Sequence, residues 1–301
     1  MLEKDSRVFM DKNNEDIACC LSAINSVLLG KRSEVKLTLA TLLTGGSILI
    51  EDRPGLGKTT LAKTMAKVLG LSFNRIQCTN DLLPLDILGR VDFLTDRTPK
   101  FIEGPIFSSI VILDELNRAP ARTQSAFLQA MEEREVTVEG QTYQLPNPQM
   151  FIATQNPSDH VGTGLLPESE LDRFTISLQI GYPDRISERN ILLGYPQQKF
   201  NSLEAVLNKN MVLELQNLST KVKVSDLFLD LAARFLSHVR DQGVFISPRA
   251  GRDLVRVSQS VALLESRDYA TPDDFKACLL SVISHRIPDA QRIIQDFQFQ
   301  A

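Results

Sequence analysis

The ten residues "EDRPGLGKTT" (51–60) decide the fold of this chain. Gly57, Lys58 and Thr59 fill the last three fixed positions of the phosphate-loop signature G-x-x-x-x-G-K-[ST]. The first glycine of that signature would stand at position 52, where this chain has Asp52. The stretch is therefore a phosphate loop with one altered position, a decayed loop, or an ordinary turn that contains Gly-Lys-Thr.

The residues on either side of the stretch have the pattern that a phosphate loop requires. A short apolar run, "SILIE" (47–51), precedes it and is typical of a buried parallel strand. A helical pattern follows from residue 59 to residue 69. Backbone N–H groups in such a loop and at the helix start point at one concavity that favours phosphate oxygens. We therefore predict a phosphate site formed by Gly55, Leu56, Gly57, Lys58, Thr59 and Thr60.

Two side chains of this stretch have predicted roles in binding. Lys58 would reach the outer phosphates as a point charge, and the Thr59 hydroxyl would ligate Mg²⁺. Aspartate tolerates turn conformations, and Pro54-Gly55 can form a tight turn directly after Asp52. We interpret the loop as modified but functional, although a carboxylate near phosphates is unfavourable unless it faces outward.

Two later strands end in residues that suit catalysis. The run "IVILDELN" (110–117) places Asp114 and Glu115 at the carboxyl edge of the sheet, where open α/β folds bind ligands. Asp114 would hold Mg²⁺ and Glu115 would polarise the attacking water. Asn156, in "IATQNP", ends another apolar strand, and its amide would orient that water or contact the terminal phosphate. Taken alone these are a solvated strand end and an Asn-Pro turn, but a phosphate loop upstream favours catalysis.

The chain divides into a part with strands and a part without them. Strand-like runs alternate with helical patterns first, which indicates an α/β domain with a mainly parallel sheet. Two hairpin-like segments, 91–103 and 134–145, interrupt this alternation. The later patterns are helical throughout, so we predict an α/β domain at 1–184 and an all-helical domain at 185–301. The predicted strands are 47–51, 73–77, 109–114, 149–155 and 174–180.

Composition disfavours several classes of protein. The net charge is −4 and no long Lys/Arg run occurs, which argues against nucleic acid as the main partner. The four cysteines and three histidines have no zinc-type spacing. No apolar run approaches the roughly 20 residues that cross a bilayer, and the charged N-terminus has no signal-like apolar core. We expect a cytoplasmic protein with no direct membrane insertion.

Two arginines have no role on spacing alone. Arg173 lies in "LPESELDRF" (166–174) just before a predicted strand, and Arg249 lies in "SPRA" (247–250) in the first turn of a predicted helix. Surface arginines are usually solvated, so the residues by themselves favour that interpretation for both.

With these elements in this order, the chain resembles a MoxR-family AAA+ ATPase from about residue 30 to residue 286. The family usually has glycine at position 52, so Asp52 is a departure from its pattern. The segments that carry the resemblance are "RIQCTNDLLPLDILG" (75–89), the run from 103 to 157, "LLPESELDRF" (165–174), "SPRAGRDLV" (247–255) and "RDYATPDDFK" (267–276).

The resemblance implies an AAA+ αβα P-loop domain and a helical lid, with ATP and Mg²⁺ as cofactors. It also implies a homo-oligomeric ring, commonly a hexamer. Arg173 resembles the arginine finger, which reaches the γ-phosphate in the neighbouring subunit, and Arg249 resembles the second sensor, which reaches it from the lid of the same subunit. The two hairpins resemble the helix-2 and pre-sensor inserts, the alternative being two decorated loops.

The resemblance thus favours Mg-dependent ATP hydrolysis that remodels or matures a protein partner in the manner of a chaperone, with a von Willebrand A-domain protein as candidate client. One alternative is a DNA-remodelling motor that uses Arg90, Arg97 and Lys100 of the first hairpin. Another is a nucleotide-gated binding module with weak hydrolysis, suggested by Asp52. A relative that works in metal chelation or gas-vesicle assembly is a narrower alternative.

Overall fold

We analysed a computed structural model that describes residues 2–92, 100–156 and 166–299, with the side chains of 2–13 excepted. Within this part of the chain, no helix combines the length and apolar character needed to cross a membrane. The helices are α1 (Leu2–Asn25), α2 (Arg32–Leu43), α3 (Lys58–Val68), α4 (Pro84–Leu88), α5 (Ala121–Glu133), α6 (Glu168–Leu171), α7 (Arg185–Leu192), α8 (Tyr195–Ser202), α9 (Lys209–Ser219), α10 (Asp226–Asp241), α11 (Pro248–Leu264), α12 (Pro272–Ile283) and α13 (Ala290–Asp296). The strands are β1 (Ile48–Glu51), β2 (Phe73–Gln77), β3 (Gly89–Asp92), β4 (Lys100–Glu103), β5 (Ile110–Asp114), β6 (Glu135–Val138), β7 (Gln141–Gln144), β8 (Met150–Gln155) and β9 (Ile176–Leu178).

The central sheet has five parallel strands in the order β2-β5-β8-β1-β9. Ile50 of β1 is paired with Thr154 on one side and Leu178 on the other. The inner strands β1, β5 and β8 are mostly apolar and buried because helices cover both faces of the sheet. The edge strand β2 differs, since Asn74, Arg75 and Gln77 are exposed. The α/β fold with a mainly parallel sheet is therefore confirmed, and all five carboxyl ends lie at one edge of the sheet.

Successive residues of the strands belong to two cores on opposite faces of the sheet. Ile48 and Ile50 lie in the core that also contains residues of α2, α3 and the later helices. Leu49 lies in the second core, with Phe127 and Leu128 of α5. This period-2 alternation fixes the register of the sheet because a shift of one residue would exchange the two faces.

Two antiparallel hairpins project from the sheet. β3 pairs with β4, and β6 pairs with β7 through a turn at Glu139-Gly140, where both residues have positive φ. Positive φ at both central positions is the geometry of a type I′ hairpin turn. The ring of Phe101 stacks on that of Tyr143 with centroids 3.8 Å apart, so the hairpins contact each other. Residues 93–99 of the first predicted hairpin, including Arg97, lie outside the described residues.

The helices after residue 184 form the lid, which packs on one face and one edge of the sheet. α11 packs against α2, and α12 packs against the edge strand β9. Residues of α10, α11 and α12, among them Phe235, Leu254 and Phe275, join the core that contains Ile48 and Ile50. The lid is therefore held by apolar packing, and we retain the division at 184/185 as a proposal.

Candidate active site

Three adjacent strands, β5, β8 and β1, place the residues of the candidate site at the carboxyl edge of the sheet. The phosphate loop follows β1, Asp114 ends β5, and Asn156 follows β8. A cavity of about 320 Å³ lies at this edge. The residues that line it are Pro54, Gly55, Gly57, Lys58, Thr59, Thr60, Arg75, Gln77, Asp114, Glu115, Thr154 and Asn156. Of the predicted site residues, the structure brings together all except Leu56, Arg173 and Arg249.

The phosphate loop has the backbone form that its glycines permit. Gly55 has a φ of +85° and Gly57 a φ of +93°, a region that residues with a Cβ rarely adopt. A Cβ added at either position would meet nothing within 4 Å, so the space beside both glycines is open. α3 begins directly afterwards at Lys58, without a side-chain cap on its first N–H groups. Those N–H groups are the ones that bind anions at a helix start.

Lys58 is half-buried beside three carboxylates. Burial lowers the pKa of its ammonium group, and the charges of Asp52, Asp114 and Glu115 oppose that shift. Its Nζ donates a hydrogen bond to the backbone carbonyl of Asp52. The ammonium therefore lies within the loop, next to the acids that end β5.

The two acids are held by the neighbouring strand. Thr154 Oγ1 accepts a hydrogen bond from the backbone N–H of Glu115 at 3.0 Å and donates one to Asp114 Oδ1 at 3.4 Å. Glu115 has a φ of +58°, a left-handed conformation that non-glycine residues adopt rarely and that is frequent at functional sites. Arg118 Nη1 lies 2.7 Å from Glu115 Oε2, an ion pair at the rim of the cavity. The acids are thus fixed relative to each other by one threonine.

Arg75 and Gln77 also line the cavity, although no sequence motif predicted a role for them. Arg75 Nε donates to Asp114 Oδ2 at 2.6 Å, and Gln77 Nε2 donates to Glu115 Oε2 at 3.3 Å. Both residues lie on β2, which pairs with β5 so that Gln77 stands opposite Asp114. The signal in the sequence was the run "RIQ", in which period-2 alternation places two long polar side chains on the same side of a strand.

The residues present fit a nucleoside triphosphate with Mg²⁺. The open space beside Gly55 and Gly57 provides room for phosphate oxygens, and Lys58 supplies a cation. Mg²⁺ is usually bound by only one or two protein oxygens together with substrate phosphates and water. Thr59 and Asp114 line the same cavity and are oxygen donors of that kind.

Arg173 and Arg249 lie elsewhere, in a second cavity of about 230 Å³. Both contact Glu132 of α5: Arg173 Nη1 lies 3.4 Å from Glu132 Oε2, and Arg249 Nη2 forms an ion pair with Oε1. The cavity is also lined by Thr44, Gly45, Gly46, Ser47, Met131, Arg134, Thr175, Arg252, Asp253 and Arg256.

Arg249, which the resemblance places at the phosphates of its own chain, does not line the phosphate cavity in this structure. Residues 44–47 precede β1, whereas the phosphate loop follows it, so the two cavities lie at opposite ends of that strand. The reason is the packing of α11 on α2, which holds the start of α11 beside Arg173. Within one chain, Arg249 therefore lies beside Arg173, the predicted arginine finger, and not beside Lys58.

The lid fixes the segment that carries Arg173. The guanidinium of Arg286, with 3% of its side chain exposed, donates to Asp172 Oδ1 at 3.0 Å, to Asp253 Oδ2 at 2.6 Å and to the Phe174 carbonyl at 2.7 Å. Ser247, the N-cap of α11, donates its hydroxyl to Asp172 Oδ1 at 2.8 Å. The residues on both sides of Arg173 are thus tied to the helix that carries Arg249.

Comparison with known families gives two matches, one in the part of the chain with the central sheet and one among the later helices. Residues 47–176 match the family described as "ATPase family associated with various cellular activities (AAA)". Residues 243–297 match the family described as "AAA lid domain". The first match contains the phosphate loop and the acids of β5, and the second contains Arg249.

Individual relatives match over most of the chain. It is 40% identical over 271 residues to the uncharacterized protein YeaC of Bacillus subtilis (strain 168), which covers 88% of this chain and 84% of that protein. It is 34% identical over 281 residues to the chaperone MoxR1 of Mycobacterium tuberculosis (strain ATCC 25618 / H37Rv), covering 88% and 73%. A crystal structure from Cytophaga hutchinsonii ATCC 33406, provisionally described as an ATPase, matches with a TM-score of 0.90, 31% identity and full coverage of both chains.

Proposed function

Because this chain belongs to the MoxR family of AAA+ ATPases, we propose that it hydrolyses ATP with Mg²⁺ and uses the reaction to remodel a protein partner. One observation carries the proposal. Lys58, Asp114 and Glu115 line one cavity at the carboxyl edge of the parallel sheet. A phosphate-binding lysine beside a paired acid is the arrangement that phosphoryl transfer to water requires.

The phosphate loop binds the triphosphate. The N–H groups of the loop and of the first turn of α3 donate to phosphate oxygens, and the Lys58 ammonium neutralises the outer phosphates. Thr59 and Asp114 would hold Mg²⁺, which would supply positive charge that offsets the negative charge of the phosphates. The Lys58 ammonium is bonded to the backbone carbonyl of Asp52 and not to the Asp52 side chain. The presence of aspartate instead of glycine at position 52 therefore leaves Lys58 in place within the loop.

Glu115 and Asn156 act on the water. Glu115 accepts a proton from the attacking water, and Asn156 orients that water or contacts the terminal phosphate. The hydrogen bond from the Glu115 N–H to Thr154 keeps the carboxylate in register with β8, which ends next to Asn156.

Arg173 and Arg249 act on the nucleotide of a neighbouring copy. Each chain has a phosphate cavity at one end of β1 and an arginine pair at the other, and a head-to-tail assembly brings the two together. Such contacts close into a ring, for which we propose a hexamer. Positive charge supplied in this way stabilises the transferred phosphoryl group and accelerates hydrolysis by about 10³–10⁵.

We propose that this ATPase acts on a client protein. The relative from Mycobacterium tuberculosis is a chaperone by name, which supports a maturation role for this chain. We propose a von Willebrand A-domain protein as the client, on the resemblance to the MoxR family.

The variant Glu115→Gln tests the proposed chemistry. The amide preserves shape but cannot accept a proton, so hydrolysis should fall by about 10²–10⁴ while ATP affinity stays near that of the wild type. ATP turnover and equilibrium nucleotide binding measure the two effects. The matched control is Glu133→Gln on α5, whose carboxylate contacts Gln129 on the helix surface, and it should keep full activity. Wild-type turnover in Glu115→Gln would contradict the role of this acid.

A further inference from the structure

Asp52 uses its side chain away from the phosphate cavity. Its Oδ1 accepts the N–H of Arg53 at 2.9 Å, and its Oδ2 accepts the N–H of Gly181 at 2.6 Å. Asp52 is not among the residues that line the cavity. The carboxylate that replaces the signature's glycine therefore binds a distant segment of the chain, 129 residues away.

That segment, residues 179–184, joins β9 to α7 and is called the connector below. Lys31 donates its ammonium hydrogens to the carbonyls of Ile180 and Tyr182, on either side of Gly181. Gly181 has a φ of +65°, which glycine adopts without strain. Three consecutive residues of the connector are thus held by two charged side chains, one of them in the phosphate loop.

The connector leads directly into α7, the first helix of the lid, so the position of the connector also sets the position of the start of α7. Asp184 caps α7 by accepting the N–H groups of Ile186 and Ser187, each at 2.9 Å. Gly30, beside Lys31, approaches the same turn so closely that an added Cβ would lie 2.8 Å from Asp184 Oδ2. Displacement of Gly181 would therefore shift the start of α7.

The backbone of Asp52 is in turn bound by the residue that binds phosphate. The Lys58 ammonium donates to the Asp52 carbonyl, and phosphate oxygens in the cavity would compete for the same ammonium. If the Lys58 ammonium binds phosphate instead, the Asp52 backbone loses this hydrogen bond. The Asp52 carboxylate accepts the N–H of Gly181, so a shift of Asp52 would also reach Gly181. The path from phosphate to lid thus contains three residues in direct contact.

Resting on the proposed binding of ATP, we propose that Asp52 is a positioning residue that couples occupancy of the phosphate loop to the connector and α7. A glycine at this position has no side chain to make the link. The altered position of the signature is then a mechanical connection between the loop and the lid rather than a sign of decay.

Hydrogen–deuterium exchange of the full chain without nucleotide tests the link itself. Asp52→Ala removes the acceptor and should raise exchange in peptides covering 179–187 about tenfold, as expected for loss of a charge-assisted hydrogen bond. Asp52→Asn keeps an acceptor oxygen and should lie between that variant and the wild type. The control Arg53→Ala changes the neighbouring exposed side chain and should match the wild type. Exchange in Asp52→Ala within about twofold of the wild type would overturn the link.

Exchange with Mg²⁺ and a non-hydrolysable ATP analogue, AMP-PNP, tests the coupling. The analogue should change exchange at 179–187 in the wild type, and this change should be lost in Asp52→Ala at saturating analogue. An unchanged response in Asp52→Ala would overturn the coupling. A wild-type protein that binds no analogue would contradict the proposed function and the coupling together, and the nucleotide-free comparison would still decide whether Asp52 holds the connector.

Discussion

At the scale of single residues, Arg75 is the feature of the cavity that most changes its chemistry. Its Nε lies 2.6 Å from Asp114 Oδ2, the carboxylate proposed to hold Mg²⁺. Half of the Arg75 side chain, 51%, is exposed, so the guanidinium faces both the acid and solvent in the cavity. Arg75 and Lys58 line the same cavity, and we propose that both stabilise the negative charge of the transferred phosphoryl group.

Arg75→Ala should therefore lower kcat by about 10²–10³, the effect of removing one preorganised donor from an active site. The KM for ATP should change less, because the loop N–H groups and Lys58 remain. Steady-state ATPase kinetics measure both parameters, with Arg122→Ala as the matched control because Arg122 lies on the exposed surface of α5. A kcat equal to that of the wild type would exclude a role for this guanidinium in hydrolysis.

At the scale of elements, the lid and the sheet are connected by a buried network of charges. Arg286 follows α12 and binds Asp172, which precedes β9, and Asp253 of α11. Burial raises the pKa of Asp253, while the charge of Arg286 and its hydrogen bond oppose that shift. His285 lies next to it, with its Nε2 2.9 Å from the Phe174 carbonyl, and burial lowers the pKa of this imidazole to about 3. The network fixes three elements around the two predicted catalytic arginines.

Arg286→Met should lower the free energy of unfolding by about 3–5 kcal/mol, because it leaves two carboxylates without their buried cation. Chemical denaturation monitored by circular dichroism measures this. Arg292→Met is the matched control on α13, where 80% of the arginine side chain is exposed, and it should change stability by no more than about 0.5 kcal/mol. Equal stabilities of the two variants would contradict the importance of the network.

At the scale of the whole molecule, the predicted catalytic residues lie in two separate cavities of the chain. Lys58 and Glu115 line the cavity at the carboxyl edge of the sheet, and Arg173 and Arg249 line the cavity that includes residues 44–47, which precede β1. Assembly with a second copy is the arrangement that we propose to complete the site.

Mixing two inactive variants tests this arrangement. Lys58→Ala removes the phosphate lysine and Arg173→Ala removes the arginine finger, so each should be nearly inactive alone. In an equimolar mixed ring, about one site in four combines an intact Lys58 with an intact Arg173 from its neighbour. ATPase activity should therefore reappear on mixing, whereas a mixture of Lys58→Ala with Glu115→Gln should stay inactive because both changes disable the same cavity. No recovery in the first mixture would contradict a shared site.

The sequence by itself determined the sheet and the cavity at its edge. Runs rich in apolar residues predicted the strands, because parallel strands covered on both faces are mostly apolar. The edge strand β2 is the exception, with Asn74, Arg75 and Gln77 exposed. Lys58, Asp114, Glu115 and Asn156 could be brought together in advance, since each stands directly after a strand or at its end and parallel strands end at one edge. The family resemblance rested on the same local patterns.

Only the tertiary structure decided the contacts between segments far apart in the chain. The packing of α11 on α2, and not the motif around Arg249, places that arginine beside Arg173 and Glu132. The hydrogen bond between Asp52 and Gly181 likewise depends on how the connector passes the phosphate loop. Local periodicity fixes which face of an element is buried, but the partner that covers that face is chosen by the packing of the whole chain.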